Sequence, residues 1–194
     1  YDGGTASGTT LGSGGLQYLF TGSIEAGTVV YGGGQQYVYF GAVANSTILN
    51  AGYQYVSSGG IASGTVVDSG GFEVLSAGGL ARYAVVSNGG TEIVSSGGRA
   101  NYTLVSNGAA LRVLFGGSAN QSVIRGGTAI ISSGGVANDT AVEGGGIQVV
   151  SLGGRADLTV LSFGATEIIS SGGLASGTVV SGGYQGIGRA SVRE

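Results

Sequence analysis

Thr65–Tyr83, TVVDSGGFEVLSAGGLARY, is the unit from which the chain is built. It opens on Thr65 and two aliphatics, Val66 and Val67, and the polar pair Asp68-Ser69 leads into Gly70-Gly71. A second apolar run, Val74-Leu75, ends at a second glycine pair, Gly78-Gly79, and the pattern restarts at Ala84. The opening residue recurs at Thr9, Thr28, Thr47, Thr65, Ala84, Thr103, Ser122, Thr140, Thr159 and Thr178, at steps of 18 or 19 residues. Spacing this regular along the whole chain is the mark of a solenoid or repeat array.

The unit is too short for two helices and their connection, and glycine disfavours helix by ~1 kcal/mol per site. Valine, isoleucine and threonine favour strands. Two apolar runs, each closed by Gly-Gly, predict two short strands and two turns per unit. One unit cannot fold alone. Its two best-buried aliphatics give roughly 3–6 kcal/mol, while ordering its backbone costs on the order of 19 kcal/mol or more. Stacking resolves the deficit, because each coil then hydrogen-bonds to the coils above and below. The expectation is one all-β domain over residues 1–194, a single-stranded parallel β-helix of about ten coils, each 18–19 residues long. At ~4.8 Å per coil the rod is roughly 48 Å long.

Composition agrees. The chain holds 44 glycines in 194 residues, yet 42% of it is apolar, and these residues sit at fixed repeat positions where they can bury a continuous core. That separates it from a disordered glycine-rich tract. Net charge is −3 and the basic residues are seven scattered arginines, which excludes the clustered positive surface of a nucleic-acid binder. Without cysteine there are no disulfides, and no apolar run approaches the ~20 residues of a membrane-spanning helix. The first residues, Tyr1-Asp2-Gly3-Gly4, read as the tail of a coil. The last coil decays after Gly182-Gly183 into GIGRASVRE, so a piece of a longer protein is expected.

Two columns are strictly aliphatic and are the predicted core. One runs Leu11, Val30, Leu49, Val67, Val86, Val105, Ile124, Val142, Leu161, Val180; the other runs Leu19, Val38, Val56, Leu75, Val94, Val113, Ile131, Val150, Ile169, Ile187. Period-2 alternation points the marker Thr inward with the aliphatic two residues on. Its hydroxyls are then placed to bond one another along the rod. An alanine column (Ala44, Ala62, Ala81, Ala100, Ala119, Ala137, Ala156, Ala175) is expected at a corner. The less uniform column of Val66, Val85 and Leu104, interrupted by Thr10 and Ala141, is assigned outward. An apolar outer face reads either as a lateral contact or as plain strand propensity. The glycine pairs are expected to supply the positive φ of tight turns.

The pattern GG-x-A-x-x-T-x-V-x-x-GG-x-x-x-V-x-x-GG is matched without a gap from Gly59-Gly60-Ile61-Ala62-Ser63-Gly64-Thr65 to Gly78-Gly79. It recurs at Gly97–Thr103 and Gly172–Thr178. It resembles the AIDA-type repeat of bacterial autotransporter adhesins over essentially the whole chain. The resemblance implies a right-handed helix exported to the outer-membrane surface of a Gram-negative bacterium. It also implies adhesion, autoaggregation and biofilm formation, and O-heptosylation on Ser and Thr by a dedicated transferase. The partners so implied are further copies of the chain or a host-cell surface.

Candidate sites are few. Without His, Cys or Lys there is no ready base, nucleophile or zinc ligand. No catalytic, cofactor or metal residue is assigned, and the chain is read as a non-enzyme. Parallel β-helices also host polysaccharide-active enzymes, and for that rival reading Asp139 and Asp157 are the best carboxylate pair; otherwise they are solvated turn residues, as are Asp68 and Glu143. Glu73, Glu92 and Glu167 share one strand column. Ice binding needs an outward Thr-x-Thr array, whereas this chain repeats Thr-x-Val.

Tyr18, Tyr37 and Tyr55 share another strand column on three successive coils, with Phe20, Tyr39 and Phe40 nearby. If outward they form an adhesive stripe; the alternative is a stacked ladder that only stabilises the coils. Asn-x-Ser/Thr at Asn45, Asn101, Asn120 and Asn138 falls out of the repeat and makes N-glycosylation a weak reading. For O-heptosylation the candidates are the turn serines Ser57, Ser58, Ser95, Ser96, Ser132, Ser133, Ser170 and Ser171. A glycan-carrying stalk, substrate of a glycosyltransferase, is the alternative to an adhesin that binds through its own side chains.

Overall fold

The computed structural model describes residues 3–188. The expected ragged ends at residues 1–2 and 189–194 lie outside the described residues. The chain stacks its coils so that strands collect in three ten-stranded parallel sheets. One coil contributes Ile61–Ser63, Val66–Asp68 and Phe72–Leu75, one strand to each sheet. The next lays Leu80–Arg82, Val85–Val86 and Thr91–Val94 upon them. Like sits on like: Ala62 pairs with Ala81, Val67 with Val86 and Leu75 with Val94.

The repeat predicts two strands per coil, and the structure has three. The extra one is the strand of the alanine column. Ile61–Ser63 is three residues long and only its middle residue is buried, so it leaves no alternation to read. Gly64, at φ +68, then turns the chain into the marker strand. The alanines expected at a corner are therefore mid-strand: Ala44, Ala62, Ala81, Ala100, Ala119, Ala137 and Ala156 form the buried face of the first sheet.

Both predicted core columns face inward. From Val30 to Leu161 in one and from Val38 to Val150 in the other, every member is fully buried. Val180 and Ile187, on the last described coil, are exposed because no described coil covers them. The marker residues Thr28, Thr47, Thr65, Thr103, Ser122, Thr140 and Thr159 are buried, while Ile48, Val85 and Val160 of the neighbouring column face out.

The glycine pairs serve two purposes, not one. In the turn Ser57-Ser58-Gly59-Gly60, Gly60 N–H donates to the Ser57 carbonyl at 2.9 Å. Ser58 and Gly59 have φ +52 and +81, the pair of positive angles that a type I′ turn needs. Gly60 has no unusual φ. A Cβ there would stand 2.3 Å from the Val38 carbonyl oxygen of the preceding coil, and on Gly79 it would stand 2.0 Å from that of Val56. The first glycine makes the turn; the second lets two backbones touch.

Substitution of one pair separates these causes. Gly78→Ala places Ala at φ +84 and should cost about 1–2 kcal/mol. Gly79→Ala must push two coils apart and should cost several times more in urea denaturation. Equal losses would show that turn conformation alone selects both glycines.

Candidate functional site

The third sheet is the widest, with four residues per strand alternating out and in. In Phe72–Leu75 the inward residues are Glu73 and Leu75. Glu73 therefore lies inside the rod, in a column with Gln17, Gln36, Gln54, Glu92, Leu111, Ala129, Gln148, Glu167 and Gln185. Glutamine suits this place because each amide carries both a donor and an acceptor. Gln36 Nε2 donates to Gln17 Oε1 at 2.8 Å, and Gln54 Nε2 to Gln36 Oε1 at 2.6 Å. The marker hydroxyls join this ladder rather than one another, contrary to the expectation from sequence. Thr47 Oγ1 donates to Gln36 Oε1 at 3.1 Å and Thr65 Oγ1 to Gln54 Oε1 at 3.0 Å.

Glu73 and Glu92 break the ladder. They are register partners on adjacent coils, both fully buried, and their four carboxyl oxygens have no hydrogen-bond partner. The coil that follows Glu73 carries Ala84, the one marker without a hydroxyl. Burial pushes the Glu73 carboxyl well above the usual range, and the neighbouring Glu92 pushes it further. Burial raises Glu92 to about 7. The Thr65 and Thr103 hydroxyls pull weakly the other way. Two carboxyls in one sealed column are stable only when protonated. The sequence reading missed this interior placement. Glu73 stands two residues before Leu75, so strand parity was the signal.

The outer surface carries the other candidates. Tyr18, Tyr37 and Tyr55 face outward and stack, with centroids 4.9 and 5.0 Å apart and planes inclined by 9° and 16°. Tyr53 and Phe72 extend the cluster, 5.2 Å apart, and Phe20, Tyr39 and Phe40 continue it on the other flank. The inner rings of the ladder thus give their faces to one another and present edges and hydroxyls to solvent. The Tyr37 hydroxyl donates to Gln35 Oε1.

Among the turn serines the structure divides each pair. Ser57, Ser95, Ser132 and Ser170 are half-buried, whereas Ser58, Ser96, Ser133 and Ser171 are exposed. The buried marker threonines are withdrawn from any enzyme. Asn101, Asn120 and Asn138 form an amide ladder on the first sheet, Asn138 Nδ2 donating to Asn120 Oδ1 at 2.8 Å and Asn120 Nδ2 to Asn101 Oδ1 at 3.0 Å.

Asp139 and Asp157 do not make a catalytic pair. Asp157 stands in register with Asn138 and bonds Arg155 at 2.7 Å, while Asp139 is an exposed corner residue one column away. Glu143 accepts from Arg125 Nε at 2.8 Å. Neither arrangement brings two carboxylates onto one open face.

Comparison with known proteins agrees with this architecture. A family model described as "Adhesin of bacterial autotransporter system, probable stalk" matches residues 96–146. A solved structure described as a TibC-catalysed, hyper-glycosylated fragment of TibA, residues 55–350, superposes with a TM-score of 0.92 at 38% identity. The match covers 97% of this chain and 69% of that one. No curated protein sequence gives a significant match. The chain belongs to the AIDA-type stalks of bacterial autotransporter adhesins.

The buried glutamates give the rod a pH dependence. Folded Glu92 holds its proton up to about pH 7, whereas the unfolded chain releases it near 4.5. Stability from this group is therefore full below about pH 4.5 and is lost as the pH rises through about 7, by about 3 kcal/mol. Glu73 acts in the same direction. The melting temperature should fall between pH 5 and pH 8, and Glu92→Gln, which copies Gln54 and Gln148, should flatten that slope. The chain has no histidine to mask the effect. A melting temperature that rises over this interval would contradict a protonated pair.

Proposed function

We propose that the chain is a segment of a cell-surface adhesin passenger that promotes adhesion, autoaggregation and biofilm formation. We further propose that it carries O-linked sugar, heptose by family resemblance, on the exposed serines of its turns. The observation that carries the reading is the chain-long likeness to a hyper-glycosylated adhesin fragment. The turn geometry supports it. Ser58, Ser96, Ser133 and Ser171 project from one edge of the rod at tight turns where a transferase can reach the hydroxyl.

The partners are then further copies of the chain, a host-cell surface, and a glycosyltransferase acting before display. A long face in which weak contacts recur at each coil binds by adding them. The aromatic cluster around Tyr18, Tyr37 and Tyr55 supports direct contact by side chains, because it is uncharged and outward. The second reading, in which the rod is a passive carrier and its sugars bind, draws on the turn serines instead.

Two experiments separate these readings. The intact mass of the segment purified from its native host should exceed 18.7 kDa in regular sugar-sized steps, and replacing Ser58, Ser96, Ser133 and Ser171 by Ala should remove most of them. A bare mass would end the glycan reading. Tyr18→Ser, Tyr37→Ser and Tyr55→Ser together should reduce aggregation several-fold while leaving the β circular-dichroism spectrum intact. Undiminished aggregation would remove the ladder from the adhesive surface.

A further inference from the structure

The corner between the first and second sheets is a single left-handed residue in every coil: Gly8, Gly27, Ser46, Gly64, Tyr83, Tyr102, Gln121, Asp139, Leu158 and Gly177 all have positive φ. Tyr83 and Tyr102 stand out. Bulky side chains are disfavoured at φ +57 and +60, and strain of this kind, held on two successive coils, points to a use. The two rings stack at 5.1 Å and 14°, and they remain 58% and 45% exposed.

One face of Tyr83 is spent on Tyr102. The other looks toward Gly64, which has no side chain. Only the Ser46 Oγ, at 3.9 Å, approaches a Cβ built on Gly64, so the Tyr83 ring does not lie over it. The result is an open slot, one coil high, between Ser46 and Tyr83. Two coil spacings, ~9.6 Å, separate its walls at the backbone, which leaves room for one ring. Beside the slot stands Arg82, exposed at the outer end of its strand, with Ser63 and Asn101 as register neighbours. Arg82 pairs with no carboxylate among the described residues.

We propose that this slot binds a carboxylated sugar ring of the uronic-acid type. The ring extends the Tyr83–Tyr102 stack by one step above Gly64, its C–H face against the Tyr83 π-face. The Arg82 guanidinium takes the carboxylate, a geometry it can match with two parallel hydrogen bonds. Ser46 and Ser63 offer hydroxyls to the ring substituents. The inner rings of the Tyr18–Tyr37–Tyr55 ladder lack such a free face. The proposal rests on the corner geometry alone and stands whether or not that ladder or any attached glycan contributes to adhesion.

Saturation-transfer NMR on the 194-residue chain, with irradiation of the tyrosine ring protons, tests it with methyl β-D-glucuronide against methyl β-D-glucoside. Transfer to the glucuronide should be the stronger. Gly64→Gln fills the slot and Tyr83→Gln removes the platform; both place at the corner a residue that Gln121 already carries there at φ +54, so the fold is retained. Each should abolish the signal, and Arg82→Gln should weaken glucuronide binding about tenfold while sparing the glucoside. The triple variant of Tyr18, Tyr37 and Tyr55 should leave the signal unchanged. Equal transfer to the two sugars, binding that survives Gly64→Gln, no transfer at all, or loss only in the triple variant would each overturn the assignment.

Discussion

The structure depends on one constraint: every coil must lie in register on the one before it. Val66 N–H donates to the Thr47 carbonyl, Val85 to Thr65 and Leu104 to Ala84, all at 2.8–2.9 Å and all directed along the rod. Register of this kind turns each position of the repeat into a column, so each side chain must tolerate a near copy of itself ~4.8 Å away. Valine and alanine do so without difficulty. Glutamine does better, since an amide both gives and accepts. Tyrosine does so by stacking. Glutamate does not, unless it keeps its proton. The inner and outer ladders are answers to the same demand.

Much of this was legible in the sequence. Ten markers at fixed spacing specify the number of coils, and the two uniform aliphatic columns specify the core. The inward Thr and outward Val assignments follow from alternation. The third sheet was not legible, because Ile61–Ser63 buries a single alanine and one residue has no period. The interior of the widest sheet was obscured for another reason. Gln54 and Glu73 are polar, and polarity ordinarily marks the outside. Here the next copy of the column supplies the missing partner, which composition alone does not reveal. The same applies to Gly60 and Gly79, whose need for close approach depends on a coil 18 or 19 residues earlier.

The candidate surface was legible in position but not in detail. Tyr18, Tyr37 and Tyr55 could be placed outward, and the turn serines at an edge. The division of each serine pair into a half-buried and an exposed member needed the turn geometry. Asp139 and Asp157 looked equivalent because the coils alternate between 18 and 19 residues, and a one-residue offset moves a side chain into the next column.

The direction of the backbone hydrogen bonds also bears on how such a rod yields to force. Strands run across the axis and their bonds run along it, so a pull on one end loads the bonds of the outermost coil first and peels it like thread from a spool. Each coil surrenders only ~4.8 Å of rod length but frees about 60 Å of extended chain. A stalk of this construction lengthens stepwise under load, and the coils still wound keep their surface intact.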